Sequence, residues 1–199
     1  MRTMQYVIKN EEGKDYQYDI FSLLLKDRII FLNGPIDDNI SDSVIAQLLY
    51  LNSEDNGKEI SLYINSPGGS VSSGLAIYDT IRFIKAPVHT IAMGIAASMA
   101  SLLLASGDRR SLLPNTKVMI HQPLIPEGIG GKETDISILA KDLSQTRKTI
   151  SKILSRHTGK SLRQIEKDIE KVCISTVDLE TPPARRRMQF YPLNRCTFG

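Results

Sequence analysis

The chain has 199 residues, 41% hydrophobic and 24% charged, the composition of a globular domain with a substantial core. No run approaches the roughly 20 apolar residues that cross a bilayer, and the longest, Ile91–Leu104, is interrupted by Gly94, Ser98 and Ser101. A formal net charge of +3 and only two cysteines, Cys173 and Cys196, exclude nucleic-acid binding, a disulfide framework and a cysteine metal site as leading readings.

The opening residues, Met1-Arg2-Thr3-Met4-Gln5, lack the apolar stretch of a secretory signal, so a cytoplasmic location is expected. Residues 1–15 are polar, carry Gly13, and read as a flexible N-terminal arm. Ile29–Leu32 is a short apolar run stopped by Asn33-Gly34-Pro35, the pattern of a buried strand and a turn. A helix is expected to begin near Ser41, capped by Ser41 or Ser43, with Val44, Ile45, Leu48, Leu49 and Leu51 on its apolar face. Ile60–Ile64 predicts a second strand, and Asn65-Ser66-Pro67-Gly68-Gly69-Ser70 a sharp turn into a helix over 71–84. That helix turns Leu75, Ala76, Tyr78, Ile81 and Phe83 or Ile84 inward. Val88–Met93 predicts a third strand, after which Gly94–Ala100 leads into a small-residue helix ending at Gly107. Lys117–Ile120 is a fourth strand. Glu133–His157 reads as one long helix, with Ile136, Leu139, Leu143, Thr146, Ile150, Ile153 and His157 spaced by threes and fours.

Strand–helix alternation of this kind implies βαβ crossovers and a mostly parallel sheet, hence an α/β fold. Ligands of such sheets sit beyond the carboxyl ends of the strands. Gly68-Gly69, the Gly94–Ser98 turn and His121 all fall at that edge. Ser98 opens a helix after a strand, where the helix field favours negative charge and the Met99 amide can face an oxyanion. A helix-capping or packing serine is an equally good reading of the spacing alone. His121 leaves a strand and precedes Gln122-Pro123, the place of a general base beside a serine. Taken singly, it reads better as a structural histidine, as do His89 and His157. Gly68-Gly69 can supply a second backbone donor or be a plain turn. The Gly128–Lys132 segment fails the phosphate-loop pattern, and Arg185-Arg186-Arg187 reads as a solvated charge run.

Longer motifs carry more weight. Tyr63-Ile64-Asn65-Ser66-Pro67-Gly68-Gly69, Gly94-Ile95-Ala96-Ala97-Ser98-Met99-Ala100, and Leu113-Pro114-Asn115 through Met119-Ile120-His121-Gln122-Pro123-Leu124 stand in the order found in one family. With Leu25–Ile30 and Ile36–Asn39, they make residues 16–171 resemble the proteolytic subunit of the Clp protease. The resemblance implies a crotonase-like fold of repeated β-β-α and βαβ units with a protruding long-helix handle. It implies a serine endopeptidase with Ser98 as nucleophile, His121 as base, and the backbone amides of Gly69 and Met99 as oxyanion donors. It further implies subunits, identical or paralogous, in two stacked seven-membered rings, a tetradecamer joined through the handle (Glu133–His157 with the segment 125–131). An ATP-driven AAA+ unfoldase would feed it unfolded proteins. No metal and no cofactor are expected in this subunit, the unfoldase being the user of ATP, and no nucleic acid or membrane as partner.

The likeness stops near residue 171. The family's acid that orients the histidine falls on Val172, which cannot accept a hydrogen bond. The last 28 residues, 172–199, hold four arginines, two acids and three prolines, and lack the family's Ala/Glu-rich helix and closing strand. A shifted reading frame or a replaced C-terminus would produce such an ending. Weak peptidase activity is therefore expected, with a catalytically impaired structural or regulatory ring subunit as the alternative. Glu170, Asp168 and Asp178 are the candidate substitutes for the acid. An acyl-CoA enzyme of the same fold fits the motifs less well.

Overall fold

Glu12 and Gly13 both take positive φ, 53° and 80°, the geometry of a two-residue hairpin turn whose twist matches its flanking strands. The chain therefore folds back at once, and β1 (Tyr6–Glu11) pairs antiparallel with β2 (Lys14–Asp19). The polar arm expected over 1–15 is, in its described part, a hairpin. Polarity hid it because both strands are largely exposed and the first turn residue is Glu rather than Asn or Asp. The computed structural model describes residues 6–125, 130–170, 173–176 and 191–192. Asp19 ends the hairpin and caps α1 (Ile20–Lys26), its carboxylate accepting the Ser22 N–H at 3.0 Å.

The main sheet is built as the alternation predicts. Strands β3 (Ile29–Asn33), β4 (Ile60–Ser66), β5 (Val88–Ala97) and β7 (Lys117–Ile120) lie side by side, all parallel. β6 (Arg109–Leu112) pairs with the first half of β5, and β8 (Cys173–Thr176) and β9 (Tyr191–Pro192) extend the other edge antiparallel. The helix α2 (Asp38–Glu54) follows β3, α3 (Val71–Phe83) follows β4, and α4 (Met99–Ser106) follows β5. Residues Ile60, Leu62 and Ile64 of β4 have no exposed surface, as a strand covered on both faces requires.

Two boundaries differ from the sequence reading for local reasons. α2 starts before Ser41 because Asp37 is its cap, accepting the Ile40 N–H at 2.8 Å. Ser41 is instead buried and gives its hydroxyl proton to the Ser73 carbonyl at 2.9 Å. β5 continues past Met93 because the residues around Gly94, with φ of 67°, form a bulge. Ile64 sits opposite Ala92 but Ser66 opposite Ala96. In α3, Ile77, Tyr78, Ile81 and the following Ile84 are buried, whereas Ala76 and Phe83 face out.

All eight residues of α4 are buried. A helix apolar on every side belongs inside the fold, and α4 packs between β5, α3 and the long helix α5 (Glu133–Thr158). The C-terminal half of α5 buries Ile150, Ile153 and Leu154, while Ile136 and Ile138 nearer its start are 50% and 66% exposed. The apolar spacing runs the whole helix, but only its second half meets the core. The first half stands out as the expected handle. Gly159, with φ of 73°, ends α5. The short α6 (Leu162–Glu170) then buries Ile165 and Ile169.

Candidate active site

Three parallel strands end at the same edge, and each delivers one part of the site. β5 ends at Ala97, and Ser98 follows with φ 55° and ψ −123° before α4 begins. A non-glycine residue in that conformation is strained by on the order of 1–3 kcal/mol. Ser98 thus forms a sharp strand-to-helix elbow, with a backbone conformation of neither strand nor helix. Although Ser98 occupies the cap position of α4, its hydroxyl makes no capping bond. Its carbonyl does that work, taking the Ser101 N–H at 3.0 Å and the Ser101 hydroxyl at 2.6 Å. The capping alternative for the Ser98 hydroxyl is thereby removed.

The Ser98 N–H donates to the Met119 carbonyl at 2.8 Å, which ties the elbow to β7 two residues before His121. Ser98 and His121 line one small cavity of about 20 Å³, together with Met99, Val71, Ile150 and Leu154. Such a volume holds roughly one water. The walls are apolar, and burial alone pushes the His121 imidazole below its ordinary 6.5. The ring is therefore neutral at pH 7, as a base must be.

The turn after β4 supplies the third part. A β-carbon at Gly68 would stand 2.7 Å from the Ser98 Cβ and 3.0 Å from the Met99 nitrogen, so the two turns touch. Ile36 pins this turn from the other side, donating its N–H to Gly68 O at 2.9 Å and accepting the Ser70 N–H at 2.8 Å. The Gly69 N–H takes no part in that ladder. The Met99 N–H, first in its helix, has no intrahelical acceptor. The glycine turn and the first N–H of α4 thus lie side by side next to the serine.

No side chain among the described residues hydrogen-bonds His121. Of the candidate acids, Asp168 is held by Lys160 at 3.0 Å and Gln164 at 2.6 Å, and Glu170 by Arg147 at 2.9 Å. Val172, Asp178 and most of the 172–199 segment lie outside the described residues, as do 126–129 of the handle segment. β8 begins at Cys173, opposite Ile120, and the Gln122 N–H reaches the Ile169 carbonyl at 2.8 Å. The other histidines are structural: His89 meets Ser111 Oγ at 2.8 Å and His157 meets the Tyr78 hydroxyl at 3.1 Å. Among the described residues no group of acids, histidines and cysteines is placed to hold a metal. No helix among the described residues is long and apolar enough to cross a membrane.

The family model described as Clp protease matches residues 11–178. The chain belongs to the Clp protease family. It is 52% identical over 167 residues to the ATP-dependent Clp protease proteolytic subunit of Streptococcus sanguinis, across 83% of this chain and 85% of that one. The proteins of the same description from Streptococcus mutans and Streptococcus pyogenes are each 53% identical over the same shares. Family membership makes the chain a serine endopeptidase of the Clp type with the family's α/β, crotonase-like fold. The match runs past residue 171 and leaves 179–199 outside it.

The sequence places Ile36 only within the Ile36–Asn39 motif, with no role for the backbone that clamps the glycine turn, and does not single out the apolar walls Val71 and Leu154. Val71 follows the Gly-Gly-Ser turn directly, so its adjacency was a usable signal. Leu154 had none, since it comes from a helix more than 50 residues downstream of Ser98.

Proposed function

We propose that the chain hydrolyses peptide bonds through Ser98 and His121. Neutral His121 takes the Ser98 hydroxyl proton as Oγ attacks the substrate carbonyl carbon. The charge that develops on the carbonyl oxygen meets the N–H groups of Gly69 and Met99. Protonated His121 then gives its proton to the leaving amine, and water releases the acyl group by the same steps. The observation that carries this reading is the strained Ser98, free of any capping bond, sharing an apolar cavity with a histidine neutralised by burial.

The wider setting follows the Clp family: unfolded polypeptides as substrate, copies of this chain or paralogues in stacked heptameric rings in the cytoplasm, and an AAA+ unfoldase that uses the ATP. The subunit itself needs neither metal nor cofactor. The exposed Ile136, Ile138 and Leu139 on the first half of α5 support a contact between subunits there. We also propose that turnover is weak. Without an orienting acid the histidine populates the wrong tautomer, at a cost on the order of 10⁴ in turnover. Valine at position 172, where the family resemblance places the orienting acid, favours as a second reading a silent subunit that shapes a mixed ring.

Intact mass before and after a serine-reactive fluorophosphonate separates the two. A single adduct at Ser98, absent in Ser98→Ala, is the result for an activated nucleophile. No adduct on a folded, assembled protein leaves the silent subunit.

A further inference from the structure

Three hydroxyls and one carboxylate that take no part in the steps above form a connected chain behind the Gly68-Gly69 turn. Ser73 Oγ lies 2.7 Å from Asp38 Oδ1 and 2.7 Å from Ser70 Oγ, and Ser70 Oγ lies 3.0 Å from Ser72 Oγ. A carboxylate only accepts, and each hydroxyl has one proton to give. Ser73 therefore donates to Asp38, Ser70 donates to Ser73, and Ser72 donates to Ser70. The Ser70 oxygen also accepts the Ser73 N–H at 3.3 Å as the cap of α3. Asp38 gives the chain its direction.

Asp38 and Ser73 are both tied to the segment that fixes Gly69. Asp38 stands two residues after Ile36, whose backbone brackets the turn from Gly68 O to Ser70 N. A β-carbon at Gly69 would run into the Ile36 carbonyl, so the two strands of chain are in direct contact. Ser73 is 5% exposed, and its carbonyl takes the Ser41 hydroxyl from the same helix that carries Asp38. The start of α2 and the start of α3 are thus joined by two hydrogen bonds at Ser73.

We propose that Asp38 and Ser73 are positioning residues for the oxyanion hole: through Ser70 they hold the Gly69 N–H where charge develops. The inference rests on Gly69 serving as an oxyanion donor, as read above. A misplacement of about 1 Å at such a site costs on the order of 10²-fold in rate.

The test uses the full-length assembled chain and its variants Ser73→Ala, Asp38→Ala and Asp38→Asn, with fold and assembly checked by melting and native mass. On a short fluorogenic peptide, Ser73→Ala and Asp38→Ala lower kcat on the order of 10-fold or more with KM nearly unchanged, the mark of an interaction made in the transition state. Affinity for a peptide boronate, whose tetrahedral adduct presents an oxygen to the hole, falls by the same factor. Asp38→Asn, whose amide oxygen still accepts the Ser73 proton, restores most of kcat. An unchanged kcat in Ser73→Ala, a loss carried by KM, or no rescue by Asp38→Asn overturns the proposal. Amide exchange over residues 68–74 quickens in Ser73→Ala whether or not the chain turns over peptide, and unaltered exchange also overturns it. Turnover that survives Ser98→Ala removes the catalytic reading instead, and the exchange result then decides whether the network holds the turn.

Discussion

Gly68 and Ser98 are in contact through the space a side chain would need: a β-carbon on Gly68 would lie 2.7 Å from the Ser98 Cβ and 2.6 Å from the Ala97 carbonyl oxygen. Neither neighbour can yield, because Ser98 is tied to Met119 by its N–H and to Ser101 by its carbonyl. Gly68 also holds φ at 90°, which an L-residue adopts only under strain. Gly68→Ala is expected to cost on the order of 2–4 kcal/mol in stability from overpacking and strain. Peptidase turnover should fall by at least about 10²-fold, since the turn that carries the proposed oxyanion donor Gly69 shifts against the serine. Melting and peptide hydrolysis on the same preparation check both numbers.

Ser98 stores strain that the fold must hold. At φ 55° and ψ −123°, alanine is as strained as serine, but glycine is not. Ser98→Ala and Ser98→Gly should both abolish turnover while differing in stability. Relief of strain is worth on the order of 1–3 kcal/mol, against the 0.4–1 kcal/mol by which glycine favours the unfolded chain, as an approximate range. The net is about 1 kcal/mol in favour of Ser98→Gly, a melting difference of roughly 2–4 °C. Equal melting temperatures for the two variants would limit the strain to about 0.4–1 kcal/mol, the entropic cost of glycine, and a more stable Ser98→Ala would show that the turn carries none.

Much of this arrangement was legible in the sequence because its parts lie at strand ends in short range of their own turns. Gly68-Gly69, Ser98 and His121 each follow an apolar run, and parallel strands must bring such ends to one edge. What was hidden depends on long-range contact or on turn geometry. The Glu12-Gly13 hairpin turn carries no Asn or Asp signal, and Phe83 sits at an inward-looking spacing yet is 81% exposed because Ile84 takes the buried place. The apolar stripe of α5 was correctly periodic, but periodicity does not say which half of a long helix meets its own core. Asp38 and Ser73 are 35 residues apart, and nothing in either segment announces the bond between them.

All three histidines of the chain are held below the ordinary 6.5 with burial as the leading cause, reinforced by Arg109 at His89 and by Arg82, Arg110 and Arg156 at His157. The consequence for activity follows from His121, which must be neutral to accept the Ser98 proton. The acid limb of kcat/KM should therefore have its midpoint below 6.5. For stability, a depressed folded-state value means the unfolded chain binds more protons as pH drops, so ΔG of unfolding rises with pH across that window. The histidine contribution is complete above about 6.5, the unfolded value, and is lost progressively as pH falls through the lower folded values. Urea unfolding between pH 5 and 7.5 measures the slope, and a flat profile would refute the assignment.

The orienting group for His121 offers the sharpest remaining test. Asp168 accepts hydrogen bonds from Lys160 and Gln164, with only 11% of its side chain exposed, and Glu170 is paired with Arg147. Those partners orient both carboxylates, and neither carboxylate is hydrogen-bonded to the imidazole. Asp168→Asn and Glu170→Gln should then leave kcat/KM within about a factor of three, because no transition-state contact is removed. The family pattern puts the missing acid at position 172, where this chain has valine. Val172→Asp is expected to raise turnover on a short peptide by several orders of magnitude, toward the roughly 10⁴ that an orienting acid contributes in serine proteases. The gain should appear in kcat, with KM little changed, and should vanish when Ser98→Ala is added. A large loss in Asp168→Asn or Glu170→Gln would instead identify that carboxylate as the partner of His121 and remove the reason to expect weak activity.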